Sequence, residues 1–325
     1  MLKIHLGAPA RPAVIAPSWA REAALAAAGG ASRGPGALAT ETLSIGTRGL
    51  DTAEALRAAA AAKGFGSGAD AGLPFIVGDD PAGPVSLAAG DVPGGRLVGH
   101  TLAGVLRGAG SLILLNPVRA HPHLGVVGAV AALGLELADR QAKLRLHAGI
   151  RPQVDTPLCA GCGSCLDVCI YDAIVIRAGR ATIDHQACTG CGECMGVCFM
   201  AGIAPDDAGG LVAFQEDVAE AAVATSRALP VAAGGAAAAL YLNFLVHLGT
   251  QTTAAKARRR PSPVGIGILA SRDPVALDAA TFAVLEDRLG APLPEWTGYA
   301  QGPGALLARA EALGLGRREH RMREV

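Results

Sequence analysis

The 325-residue chain carries 28 Lys+Arg against 28 Asp+Glu, so its formal charge is zero, and only 3% of its residues are aromatic. This balance excludes a nucleic-acid binder built on a basic face, and the scarcity of rings removes the stacking platforms of a single-strand binder. The length leaves room for more than one domain.

The N-terminus, Met1-Leu2-Lys3-Ile4-His5-Leu6-Gly7, lacks the charged and apolar regions of a signal peptide, which predicts a cytoplasmic protein whose thiols stay reduced. Short apolar runs bounded by glycine or proline follow: Leu2 to Leu6, Leu73 to Val77, Ser111 to Leu115, Leu240 to Val246 and Val264 to Leu269. Between them lie alanine-rich stretches of helical length, Ser18 to Ala28, Thr52 to Ala62 and Gln215 to Arg227. Strands alternating with helices predict an α/β fold with a parallel or mixed sheet. Gly64-Phe65-Gly66-Ser67-Gly68 lacks the G-x-G-x-x-G spacing of a dinucleotide site and reads as a loop.

Mid-chain, Lys143 and His147 stand four apart, on one face of a helix. Two readings stay open: solvated side chains near a domain junction, or an electrostatic clamp and a proton-transfer group, with His121, for an anionic or carbonyl substrate. His121-Pro122-His123 lacks a third ligand and is a weak metal signal.

Cys159, Cys162, Cys165 and Cys169 form the run C-x2-C-x2-C-x3-C, repeated as Cys188, Cys191, Cys194 and Cys198. Three thiolates spaced two apart wrap three corners of one cubane cluster, while a fourth, three residues on, reaches towards a second. The pattern predicts two [4Fe-4S] clusters, one on Cys159, Cys162, Cys165 and Cys198, the other on Cys188, Cys191, Cys194 and Cys169. Gly161, Gly163, Gly190 and Gly192 let the backbone curl around each. Ala173 to Ile176, a turn at Ala178-Gly179-Arg180, and Ala181 to Ile183 read as a hairpin between the runs. Together these features follow the plan of a bacterial ferredoxin, although the proline usual after the fourth cysteine is replaced by Ile170 and Phe199. Structural zinc prefers two paired C-x-x-C units and has no use for a repeated triplet with a distant fourth cysteine. A module of this size, about Arg151 to Pro205, needs its clusters as staples.

The longest uncharged stretch, Ala228 to Val246, is broken by Pro230 and Gly234-Gly235, and reads as a helix or loop entering a buried strand rather than a membrane span. Asp273 as N-cap, Pro274 as first helical residue and Gly290 as stop delimit the last long helix. Asp278, beside its apolar face, either anchors a loop or points into a site. Arg258-Arg259-Arg260 and the tail Arg317 to Arg321 read as solvated basic clusters, or as contacts for an acidic redox partner.

Four segments resemble the bacterial and archaeal iron-sulfur family labelled domain of unknown function 362: Val118 to His121 with Gly125 to Leu135; Lys143 to His147; Tyr241 to Leu245; and Gly265 to Asp278. With the cysteine runs they cover about residues 95–290. The resemblance implies an α/β domain interrupted by a two-cluster ferredoxin module and leaves the reaction open. Family members often have Lys-Gly where this chain has Arg119-Ala120, and a Cys-x-Cys pair where it has Thr252 and Ala254.

The reading is therefore an α/β domain in two parts, 1–150 and 209–325, split by a ferredoxin-like insert at 151–208. The expected activity is that of an iron-sulfur oxidoreductase passing single electrons to a substrate or cofactor on the α/β domain. Its expected partners are a low-potential donor or acceptor protein and a small-molecule substrate, with no nucleic acid and no membrane span. The alternatives are a non-catalytic electron-transfer partner of a larger reductase, or clusters that only hold the fold or sense oxidation.

Overall fold

A computed structural model describes residues 1–7, 15–27, 37–66, 73–230, 239–247, 264–299 and 301–324. Its centre is a six-stranded sheet of β1 (Leu2–Lys3), β2 (Ala39–Glu41), β3 (Phe75–Val77), β4 (Leu112–Pro117), β5 (Ala239–His247) and β6 (Val264–Ser271), in the order β6-β5-β4-β1-β2-β3. Neighbours are parallel except β5 and β6. The fold is a mixed α/β architecture with a mainly parallel sheet.

The central strand β4 is buried along its whole length, as a parallel strand covered on both faces should be. Because side chains alternate along a strand, Leu112 and Leu114 enter one apolar core while Ile113 and Leu115 enter the other. The first core is filled by helices Ala208–Ala228, Pro274–Leu289 and Gly304–Ala312, and the second by Pro17–Ala27 and Ala53–Ala62.

Helix Pro274–Leu289 begins where its sequence predicts. Asp273 accepts the N–H groups of Val275 and Ala276, and Gly290 ends it at φ 61°. Asp278 anchors a loop: its carboxylate accepts the N–H groups of Ala129 (2.6 Å) and Val130 (2.9 Å) and the Asn243 amide (2.8 Å). Asn243 also accepts from Asn116 on β4 at 2.9 Å. A Cβ at Gly128 would lie 2.3 Å from Asp278 Oδ1, so only glycine lets the turn close on this carboxylate.

The cysteine-bearing segment leaves and rejoins the body side by side, with Pro152–Val154 antiparallel to Ile203–Pro205. Inside it, Ile174–Arg177 and Arg180–Ile183 form the expected hairpin. Two short helices, Ser164–Val168 and Glu193–Val197, bring Cys165 and Cys194 into a small apolar cluster with Ile174, Met195 and Ile203.

The strand missing from the sequence reading is β2, whose Ala-Thr-Glu sequence carries no apolar run. Among the described residues no helix is long and apolar enough to cross a membrane, and the end of the uncharged stretch is β5. Arg318 pairs with Glu311 at 2.6 Å, which makes the tail an intramolecular contact at that point. Arg258, Arg259, Arg260, Thr252, Ala254, Gly234, Gly235, Ser67 and Gly68 lie outside the described residues.

Candidate active site and cysteine centres

All eight cysteines are free thiols. Burial raises Cys165, and Cys159 and Cys198 raise it further. Cys194 is likewise pushed up by burial, then by Cys191, Cys188, Cys165 and Cys169. Cys169 also acts on Cys188 and Cys191. The last cysteine of each run therefore stands beside the other run's thiols. No three of the eight sulfurs lie within 4.8 Å of one another.

Backbone N–H groups aim at these sulfurs: Ala181 at Cys159 (3.4 Å), Gly190 at Cys188 (3.4 Å) and Gly202 at Cys198 (3.2 Å). Gly161, Gly163, Gly190 and Gly192 all have φ between 64° and 84°, the left-handed region that glycine enters without strain. The first cysteine loop faces outward: Cys162 is exposed, as are Leu158, Leu166, Phe199 and Met200 around that end of the segment.

The second loop faces inward. Thr47 Oγ1 donates to Glu193 at 3.0 Å, and Tyr171 donates to the Ile45 carbonyl at 2.7 Å. A Cβ at Gly46 would lie 3.1 Å from Cys191 Sγ. The Gly190 carbonyl sits 2.8 Å from His123 Nε2. Since a carbonyl only accepts, Nε2 carries the proton.

Between this loop and the sheet is a cavity of about 370 Å³. It opens at the C-terminal ends of β1, β2 and β4, lined by His5, Glu41 and Thr42, and Arg119 just beyond them. The chain runs from β1 to β2 and β3 on one side and returns to β4 on the other, so the cavity occupies the switch point where open α/β sheets bind ligands. Cys191, Gly192 and Glu193 form part of its wall.

The floor is a buried charge network. Lys3 Nζ lies 2.6 Å from Glu41 and 3.0 Å from Glu136, and Arg119 closes on Glu136. Burial alone would raise Glu136, but Arg119 and Lys3 hold it well below the usual carboxylate range. His5 approaches Glu41 at 3.3 Å and Glu136 at 3.7 Å, and burial followed by Arg119 lowers its pKa. This trio is compact enough to hold a metal ion. Both carboxylates already neutralise Lys3 and Arg119, so a divalent cation there would face two fixed positive charges, and the arrangement reads as a balanced ion network. Glu136 ends a π-helical turn, Ala132–Glu136, an irregularity that often marks functional sites.

Lys143 and His147 are not solvated. Both are buried, at 6% and 3% exposure, because their helix, Arg140–His147, turns that face onto the cavity. Lys143 donates to Thr42 Oγ1 (2.6 Å) and to the Leu43 carbonyl (2.7 Å). His147 Nδ1 lies 2.8 Å from the Lys143 carbonyl, so Nδ1 holds the proton and Nε2 is the basic nitrogen. His121 has the opposite tautomer: its Nδ1 accepts the N–H groups of His123 (3.2 Å) and Leu124 (3.3 Å), which puts the ring proton on Nε2. Burial keeps both rings neutral, pushing His147 down to about 4 and His121 well below its ordinary value. Asp278 lies outside the cavity lining, as do the first-run cysteines. Sequence reasoning missed Lys3, His5, Glu41 and Glu136. Charged residues on short strands give no signal of burial until their partners are known.

The family model described as a domain of unknown function (DUF362) matches residues 1–283. The chain belongs to that family. The match extends through the N-terminal third, so β1, β2 and the cavity floor all lie within the DUF362 region. The DUF362 match ends inside helix Pro274–Leu289, after Asp278. No curated protein and no solved structure matches the chain.

Proposed function

We propose that this DUF362 protein is an iron-sulfur oxidoreductase in which two [4Fe-4S] clusters relay single electrons from a low-potential donor to a small molecule in the cavity. One cluster is held by Cys159, Cys162, Cys165 and Cys198, the other by Cys169, Cys188, Cys191 and Cys194. The observation that carries the reading is that Cys191, Gly192 and Glu193 form a wall of the cavity at the sheet's switch point. A plain carrier has no need of such a chamber.

The cysteine geometry fits such clusters. The sulfurs of a tetrahedral zinc site stand about 3.8 Å apart, given a Zn–S bond of about 2.3 Å. No three thiols here come within 4.8 Å of one another, so they are not gathered as tightly as such a zinc site requires. The N–H groups aimed at sulfur and the left-handed glycines would supply the cradle, and the influence of Cys198 on Cys165 and of Cys169 on Cys194 supports the crossed ligand sets. When bound, the clusters supply one-electron chemistry whose potential the protein sets through hydrogen bonds and burial.

The chain's own residues do the rest. The exposed apolar side chains Leu158, Leu166, Phe199 and Met200 of the cysteine-bearing segment, with exposed Cys162, offer a rim where a donor protein would meet the first group. His123, Thr47 and Tyr171 clamp the second loop against the cavity. His147 holds a basic nitrogen, and His121 an N–H, at the cavity lining.

That rim equally suits the second reading, a carrier that docks a larger reductase. One experiment separates them: anaerobic, dithionite-reduced protein is mixed with fractionated metabolite extract while its visible absorption is followed. Reoxidation by a low-molecular-mass fraction is the expected result. Reoxidation by protein fractions alone would make the molecule a carrier and overturn the enzyme reading.

A further inference from the structure

Three side chains at the cavity have hydrogen-bonding polarities that the fold fixes in advance. Lys143 is the first. Its two hydrogen bonds go to neutral acceptors, Thr42 Oγ1 and the Leu43 carbonyl, and no carboxylate among the described residues lies within 4.0 Å of Nζ. Asp79 and Glu41 act on it only from further away. The other cations of the floor are spent, Lys3 on Glu41 and Glu136, and Arg119 on Glu136. Lys143 is thus a buried amine whose pKa burial lowers, with one hydrogen-bonding position uncommitted and no counter-charge in contact among the described residues. Such a group is costly to bury unless something completes it.

His121 and His147 are the second and third. Their rings are tied down through opposite nitrogens, so His121 offers an N–H donor and His147 a bare acceptor. His147 acts electrostatically on His121, and the His123 ring lies 5.6 Å from that of His121 and 5.8 Å from that of His147. A ligand that satisfies all three must bring oxygen lone pairs, a negative charge and a hydrogen-bond donor close beside them.

We propose that the cavity receives a small hydroxycarboxylate, its carboxylate on Lys143 Nζ and the Nε2–H of His121, its neighbouring hydroxyl donating to Nε2 of His147. This deepens the electron-relay reading by giving its cavity a substrate class: the hydroxycarboxylate is the product formed when two electrons, delivered one at a time, and two protons convert the C=O of the matching oxocarboxylate to CH–OH. A cavity of about 370 Å³ suits a compact molecule. Glu193, on the cysteine-loop wall, is half-buried and accepts a hydrogen bond from Thr47 Oγ1 at 3.0 Å.

The test is isothermal titration of the oxidised holoprotein, with no electron donor present, using lactate, glycolate and malate against the neutral isostere lactamide. At least one carboxylate should bind in the millimolar range or tighter, with lactamide at least about tenfold weaker. Lys143→Met should remove that preference, and His147→Phe should weaken hydroxycarboxylates relative to acetate. Equal binding of lactate and lactamide, or no binding of any carboxylate, would overturn the proposal. Should Lys143→Met fail to fold, the lactate and lactamide comparison on the unaltered protein still decides. Because no electrons move in this assay, a failure of the relay reading leaves its result intact. Conversely, reoxidation of the reduced protein by neutral molecules alone would sink the substrate class and spare the relay.

Discussion

His123 Nε2 donates to the carbonyl of Gly190 at 2.8 Å, a bond that joins the α/β body to the loop between Cys188 and Cys191. The two residues are 67 apart in sequence, and the contact fixes where the inner cysteine group sits relative to the cavity. Gly192 completes the fit: a Cβ there would stand 2.6 Å from the same nitrogen.

Replacing His123 with alanine leaves a buried carbonyl without a partner, which costs about 1–3 kcal/mol. The expected outcome is a lower urea midpoint for the holoprotein and faster iron loss from the inner group. His123→Gln, which keeps a donor, should recover part of it. An unchanged midpoint in His123→Ala would contradict the clamp.

Gly192→Ala combines a left-handed φ of 84° with that close approach. It should cost the inner cluster and spare the outer one, leaving about four irons per chain instead of about eight by metal analysis. A full iron complement would show that the loop tolerates displacement.

Asp278 is charged with a structural task. Asp278→Ala strands the N–H groups of Ala129 and Val130 and the Asn243 amide, and should destabilise the protein by about 2–5 kcal/mol in denaturant unfolding. Asp278→Asn, able to accept fewer of these bonds, should fall between. A catalytic role would instead cost activity without stability.

Mild acid should weaken the fold before any carboxylate is lost from the cavity floor. Burial pushes His100 and His147 down to about 4 and His123 down to about 3, while the unfolded rings titrate near 6.5. Their contribution is present above about 6.5 and lost as the pH falls from there towards the folded values, because the unfolded chain takes up the protons first. Asp278, raised to about 6 by burial, works in the opposite sense and offsets one of them. A net slope of about 1–3 kcal/mol per pH unit is expected between pH 6 and 5. The contribution of Glu136, held low, is fully present across that interval and is lost only as the pH falls below the ordinary carboxylate range. Urea midpoints measured across that interval check the slope, and His100→Asn should flatten it.

The parts of this architecture that sequence makes legible are those written in local pattern. The apolar run of β4 and the Asp273, Pro274 and Gly290 signals each depend on neighbours a few residues away. The cavity floor does not. Lys3, Glu41 and Glu136 come from three distant segments, and each by itself looks like a surface residue. Only the sheet order, which sets β1 between β2 and β4, brings them together. Lys143 and His147 show the same limit: their spacing gives a shared helical face, but whether it meets water or protein depends on strand β2, whose short polar sequence hides it.

Everything proposed about electron flow stands on what the eight thiols hold. Iron and acid-labile sulfide should therefore be counted on anaerobically purified protein, with Mössbauer spectra of the same sample. About eight irons and eight sulfides per chain with cubane-type spectra are expected. Stoichiometric zinc, or iron without sulfide, would contradict it.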